Sequence, residues 1–219
     1  MKRWAAAGIL LGAWACGAGC DRPPATDPAP VRPVPRGASA AAPAETVWVD
    51  NPDYRHWSQF PVGTTVVREK RVNSDRGTVH VTTTLRLVEK RPDQLMVESQ
   101  VRVVRDGELL PANPPQALAY HARFPLPPGM DAAAFDLPAL RASRVGEEVQ
   151  KVGEQEFLAE KFTWQEVNET GPMEVTYWRH DQVPGRMLRQ EIHGPNHHSV
   201  EHVTQIRLVN LDPAAQPNG

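Results

Sequence analysis

Residues 78–89 alternate without a break. Val79, Val81, Thr83, Leu85 and Leu87 fall on one parity, and His80, Thr82, Thr84 and Arg86 on the other. Successive side chains of a strand point to opposite faces, so the run predicts a strand with one apolar and one wet face. A helix would scatter the same residues around its axis. The rhythm continues on both sides. Residues 64–73 predict a strand that turns at Asn73-Ser74-Asp75-Arg76-Gly77. Leu95, Val97, Val101 and Val103 predict the apolar side of a third strand, ended by Asp106-Gly107.

The stretch 111–141 breaks the rhythm. Pro111, Pro114, Pro115, Pro125, Pro127, Pro128 and Pro138 exclude a long helix or a central strand. A short strand over Tyr120–Phe124 and one helical turn over Asp131–Phe135, capped by Asp131, fit between them. A second meander follows, with strands expected at 148–152, 156–167, 173–180, 186–193 and 198–210. Ahead of the first strand, Trp48, Tyr54, Trp57 and Phe60 lie close together and predict an aromatic plug for one end of the core. The expected fold is all-β: an antiparallel meander of about nine strands forming a curved half-barrel or a sandwich.

The N-terminus carries a different message. Lys2 and Arg3 precede an apolar run over residues 4–16, too short to span a bilayer and followed at once by polar, proline-rich sequence. That is the form of a cleaved signal. Gly17-Ala18-Gly19-Cys20 resembles the lipobox of bacterial lipoproteins, in which small residues precede the lipidated cysteine, although Gly17 stands where leucine is commonest. The resemblance implies removal of residues 1–19 and a lipid-modified Cys20. Both cysteines of the chain, Cys16 and Cys20, lie in this segment, and lipidation accounts for a secreted chain left with one thiol. The implied partner is the lipid bilayer, held through Cys20. Asp21 resembles the inner-membrane retention signal of such proteins.

Residues 20–45 contain seven prolines and few large apolar side chains, which predicts an extended, disordered linker of polyproline type. The globular part is expected over 46–211 and a frayed tail over 212–219. Net charge is −2 and charged residues make up 23% of the chain, so no basic excess points to nucleic acid.

Catalytic chemistry is hard to place. His198-Ser199-Val200-Glu201-His202 matches the H-x-x-E-H pattern of a zinc-protease family, but that chemistry needs a helix. The surrounding alternation is that of a strand, where residues four apart stand about 13 Å from each other. A three-residue loop over Pro195, Asn196 and His197 would pair Gly194 with His198. It would place His198 and His202 on the face of Ile192, His193 on the other, and a left-handed His197 at the tip. No metal, cofactor or catalytic set is therefore expected. The leading reading is a membrane-anchored, extracytoplasmic, non-enzymatic binding or assembly module, with an envelope protein or a lipid as its ligand. A curved sheet would turn Val79, Val81, Leu85, Val97, Val101 and Val103 toward an apolar ligand; the plain alternative makes them core. A hydrolase with a site built from loops around 111–141 is the competing class.

Overall fold

The computed structural model describes residues 46–168 and 171–209. The signal segment, Cys20, the linker and the tail 212–219 lie outside them. The described chain is all-β and antiparallel, with very little helix. It runs β1 (Trp48–Asp50), α1 (Pro52–Trp57), β2 (Thr65–Ser74), β3 (Gly77–Lys90), β4 (Gln94–Arg105), β5 (Glu108–Leu109), β6 (Gln116–His121) and β7 (Arg123–Pro125). A 3-10 turn at Ala132–Asp136 leads to β8 (Ser143–Val152), β9 (Gln155–Asn168), β10 (Gly171–Arg179), β11 (Met187–Gly194) and β12 (His197–Arg207).

One open sheet holds all but β1 and β7, which pair with each other. Its order is β5-β4-β3-β2-β12-β11-β10-β9-β8, with β6 also on β4. The two meanders thus join where the first long strand, β2, meets the last, β12, from Thr65↔Arg207 to Ser74↔His197. The sheet bends. At about 4.8 Å per step, β8 and β12 would stand roughly 19 Å apart if the strands were flat, yet they come into contact.

Directly paired residues share a face, and the pairing traces rows across the sheet. One row reads Phe162, Tyr177, Gln190, Glu201, Lys70, Val81 and Val103. The next toward the hairpin tips reads Trp164, Val175, Ile192, Ser199, Val72, Val79 and Arg105. In the other direction lie Val203, Arg68, Thr83 and Val101, then Ile206, Val66, Leu85 and Ser99.

Helix α1 caps this face over β4 and β6. Asn51 accepts from the amides of Asp53 (3.0 Å) and Tyr54 (3.5 Å), and Pro52 opens the helix where its missing N–H costs nothing. Trp57 and Phe60 are buried in one cluster with Val66, Leu85, Leu87, Leu95, Val97 and Val203, and Tyr54 packs against it. That is the expected aromatic plug without Trp48, which is 52% exposed and belongs to the small β1–β7 pair. A second cluster, Phe162, Trp164 and Val175 with Tyr177 and Ile192, is covered by Leu137, Ala139 and Ala142.

Candidate functional site

The two clusters do not take in the whole of the face. Leu85 and Val97, two of the six residues expected to face a ligand, lie in the closed end at 9% and 0% exposure; they are core. The other four do not. Val79, Val81, Val101 and Val103 are half-buried, as is Val72 beside them on β2. Val81 is directly opposite Val103, and Thr83 opposite Val101, so they form a continuous valine strip on β2–β4. Among the described residues neither hydrophobic cluster includes them.

Charged and hydroxyl groups mark the inner end of the strip. Arg68 and Lys70 sit on β2, two residues apart and on the same face as the valines. Lys70 has a partner in Glu201 at 3.9 Å. Arg68 has none: among the described residues its guanidinium makes no hydrogen bond or ion pair, and its Nε is fully buried. Asp53, on α1, is exposed; partial desolvation raises its carboxyl above the usual range, against the opposing pull of Arg186 and Arg68. Burial likewise raises Tyr120 and Tyr177, and both respond to the charges of Asp53 and Arg68.

The proline-rich stretch 111–141 is fastened rather than free. Asp131 caps its 3-10 turn by accepting from the Ala133 amide at 3.0 Å. Asp136, at the end of that turn, pairs with Arg55 at 2.8 Å, with Arg186 at 3.0 Å and with Arg179 at 3.7 Å. Arg179 also bonds Glu160 at 2.8 Å and lies over the Phe162 ring. Each of these charges is answered, which is the arrangement of a clamp. Beside it, His56 is 4% exposed with no hydrogen bond to either ring nitrogen. Burial and then the Arg186 cation push it down to about 4, so it is neutral at pH 7.

No family model matches the chain, and no curated protein matches it. Solved structures similar to it at low level include the following two. A protein described as exported, with a YmcC-like fold, from Bacteroides fragilis is 9% identical at a TM-score of 0.41, over 68% of this chain and 97% of that one. The lipoprotein LppX of Mycobacterium tuberculosis is 12% identical at a TM-score of 0.38, over 73% of this chain and 96% of that one. Likeness at this level carries neither ligand nor activity across.

The histidine hairpin differs from the sequence expectation. Gly194 pairs with His197, and His193 with His198, so the loop is the two residues Pro195 and Asn196. Proline at the first loop position forbids the left-handed turns, and His197 does not have a positive φ. His193 and His198 consequently share a face, their rings stacked 4.3 Å apart. The expected separation of these two, and the left-handed His197, are both overturned. The match at His198–His202 does lie on a strand, β12. Among the described residues no group of three or more histidine, cysteine or acidic side chains is placed to hold a metal ion. Elsewhere, a cleft of about 450 Å³ is lined by Phe60, Phe157, Ile206 and Leu208 together with Gln59, Gln155 and Gln182.

Arg68, Asp53 and the two tyrosines were not singled out in the sequence. Arg68 carried a usable signal: it occupies the parity of Val66 and Val72 on its strand, the side that alternation assigns to the apolar face.

Proposed function

We propose that the protein is an extracytoplasmic lipoprotein, anchored through Cys20, that binds an apolar or amphiphilic ligand along the valine strip of β2–β4. One observation carries the reading. Val79, Val81, Val101 and Val103 form a half-buried valine strip outside both hydrophobic clusters, on the face whose other apolar residues pack into them. Unsealed apolar area on a monomer marks a binding surface. The leader and Gly17-Ala18-Gly19-Cys20 support the address, and the proline-rich linker supports a domain held away from the bilayer. The clamp at Asp136 supports a non-enzymatic role for the 111–141 stretch, because its carboxylate is engaged by three arginines.

Two measurements test this. Cys20→Ala should move the protein out of the membrane fraction or leave it uncleaved; unchanged fractionation and mass would remove the anchor. Solvent extraction of the purified protein should yield bound lipid, and Val81→Asp with Val101→Asp should abolish it. Equal lipid in that variant would place the ligand elsewhere.

A further inference from the structure

The sheet ends in one long unpaired edge. On one side β4 is bordered by the short β5 and β6; on the other, β8 pairs with β9 alone. Among the described residues β8 makes no backbone hydrogen bond outside that pairing, and its residues 143–149 and Lys151 are exposed. The hairpin fixes which backbone groups face out. Val152 pairs with Gln155, so the loop is Gly153-Glu154, with Gly153 alone at positive φ (+61) as a type II′ turn requires. The hydrogen bond of that turn makes Val152 and Gln155 a bonded pair. Bonded and non-bonded pairs alternate along an antiparallel ladder. Gln150 and Glu148 therefore bond β9, whereas Lys151, Val149 and Glu147 aim their N–H and C=O groups away from it. Val149 is 53% exposed, and Leu158, directly opposite on β9, is 57% exposed.

We propose that two copies of this chain associate through β8, edge to edge about a two-fold axis, in an antiparallel register centred on Val149. Charge complementarity selects both the occupant and the register. A two-fold centred on Glu147, Glu148 or Lys151 would set a charge against its own copy, and one centred on Gln150 would set Val149 against a lysine. Centring on Val149 puts Glu147 opposite the partner's Lys151, twice, and Glu148 opposite the partner's Gln150. Opposite charges directly across strands stabilise a pair and like charges destabilise it. The same register brings the three outward-facing residues of each copy into hydrogen-bonded pairs and lines up Leu158, Val149 and their two-fold mates as one apolar row. Charges and bulges commonly blunt an edge. Here the bulge lies between Arg144 and Gly146, beyond the paired segment, and the charges complement themselves under rotation. Within one chain Glu147 meets Arg144 at 2.6 Å and Lys151 meets Glu156 at 2.8 Å, all exposed side chains that hold weakly. The contact is independent of the valine strip, which lies on β2–β4 toward the other end of the strand order.

The test is sedimentation equilibrium of the full chain in non-ionic detergent across a concentration series, which should show a monomer–dimer equilibrium. Glu147→Lys and Lys151→Glu each set like charges across the axis twice and should weaken the dimer about tenfold, the ratio that 1.4 kcal/mol corresponds to. The double variant restores opposite charges and should regain the dimer, which mere damage to the edge would not allow. Val149→Pro removes an outward N–H and leaves the bonds to β9 in place; it should abolish the dimer at an unchanged thermal midpoint. Under mild oxidation Val149→Cys should form a disulfide-linked dimer that the unsubstituted chain does not, since directly bonded pairs stand about 5.5 Å apart at Cα. Glu147→Cys should not, because its two copies would lie roughly 14 Å apart along the strands. A chain that stays monomeric at every concentration would overturn the contact. So would a dimer that neither Val149→Pro nor the charge reversals weaken, which would place the interface elsewhere. Cross-linking of the Glu147→Cys chain instead of the Val149→Cys chain, or no recovery in the double variant, would refute the register.

Discussion

Single residues decide how tightly the covered end of the face is built. Gly185 has φ +73, and a Cβ there meets Arg68 and Trp57. Gly185→Ala therefore combines left-handed strain with crowding and should cost about 1–2 kcal/mol, read as a lower urea midpoint at unchanged slope. His56 sets a pH dependence. Its folded value is about 4, against an unfolded value near 6.5. Between the two, the unfolded chain binds the proton and the folded chain does not. Stability is complete above about pH 6.5 and falls as pH drops toward 4, by on the order of 3 kcal/mol at most. Denaturation midpoints at pH 7.5 and 4.5 measure it, and His56→Leu should flatten the difference; an undiminished slope in that variant would assign the effect to another group. What sequence showed at this scale was parity. It sorted the alternating residues of β3 correctly, but it could not tell that Leu85 and Val97 lie under a cover whereas Val81 and Val101 do not. Burial depends on what crosses the face, and the cover comes from residues far away in the chain.

The elements tell the same story one level up. Each of the nine expected strands has a counterpart, and the long ones match within a few residues, because period two and turn residues are local signals. The expected Tyr120–Phe124 strand became two short ones, β6 and β7. Helix α1 went unread, although Asn51-Pro52-Asp53 is a capping signature in plain sight; six residues hold too few turns for a helical period to stand out. The His193–His198 hairpin was read with the wrong loop length, and one residue of slip reverses every face. The proline-rich stretch was legible as irregular, but not as fastened. Its fastening is testable. Asp136→Asn withdraws the charge that answers Arg55, Arg179 and Arg186. Losing charge-assisted bonds to two nearly buried arginines should cost about 2 kcal/mol and bare the cluster of Phe162, Trp164 and Val175. Faster amide exchange in β9 and β10, with β3 and β4 unchanged, is the expected pattern. Uniform acceleration would mean the clamp stabilises the whole sheet rather than one cover.

At the scale of the molecule, the seam between β2 and β12 is the feature no local pattern announces. Two meanders of similar rhythm could have stacked as a sandwich; instead the first long strand accepts the last as its neighbour, making one sheet. Pairing Thr65 with Arg207 closes nearly the whole domain as a loop. Such non-local pairing is slow to form and cannot begin before β12 exists. The seam also completes the face on which the strip lies. Without β12, the row from Phe162 to Val103 is cut between Gln190 and Lys70, and Arg68 loses its neighbour Val203. Ending the chain after Gly194 would leave β2 and β11 as two long unpaired edges inside the former sheet, a template for association with other chains. The expected product has no cooperative thermal transition by circular dichroism and elutes as aggregate from a sizing column. A monomer that melts in two separate steps would show that each meander folds by itself and that the seam only docks them. In that outcome the valine strip, confined to β2–β4, should still bind lipid.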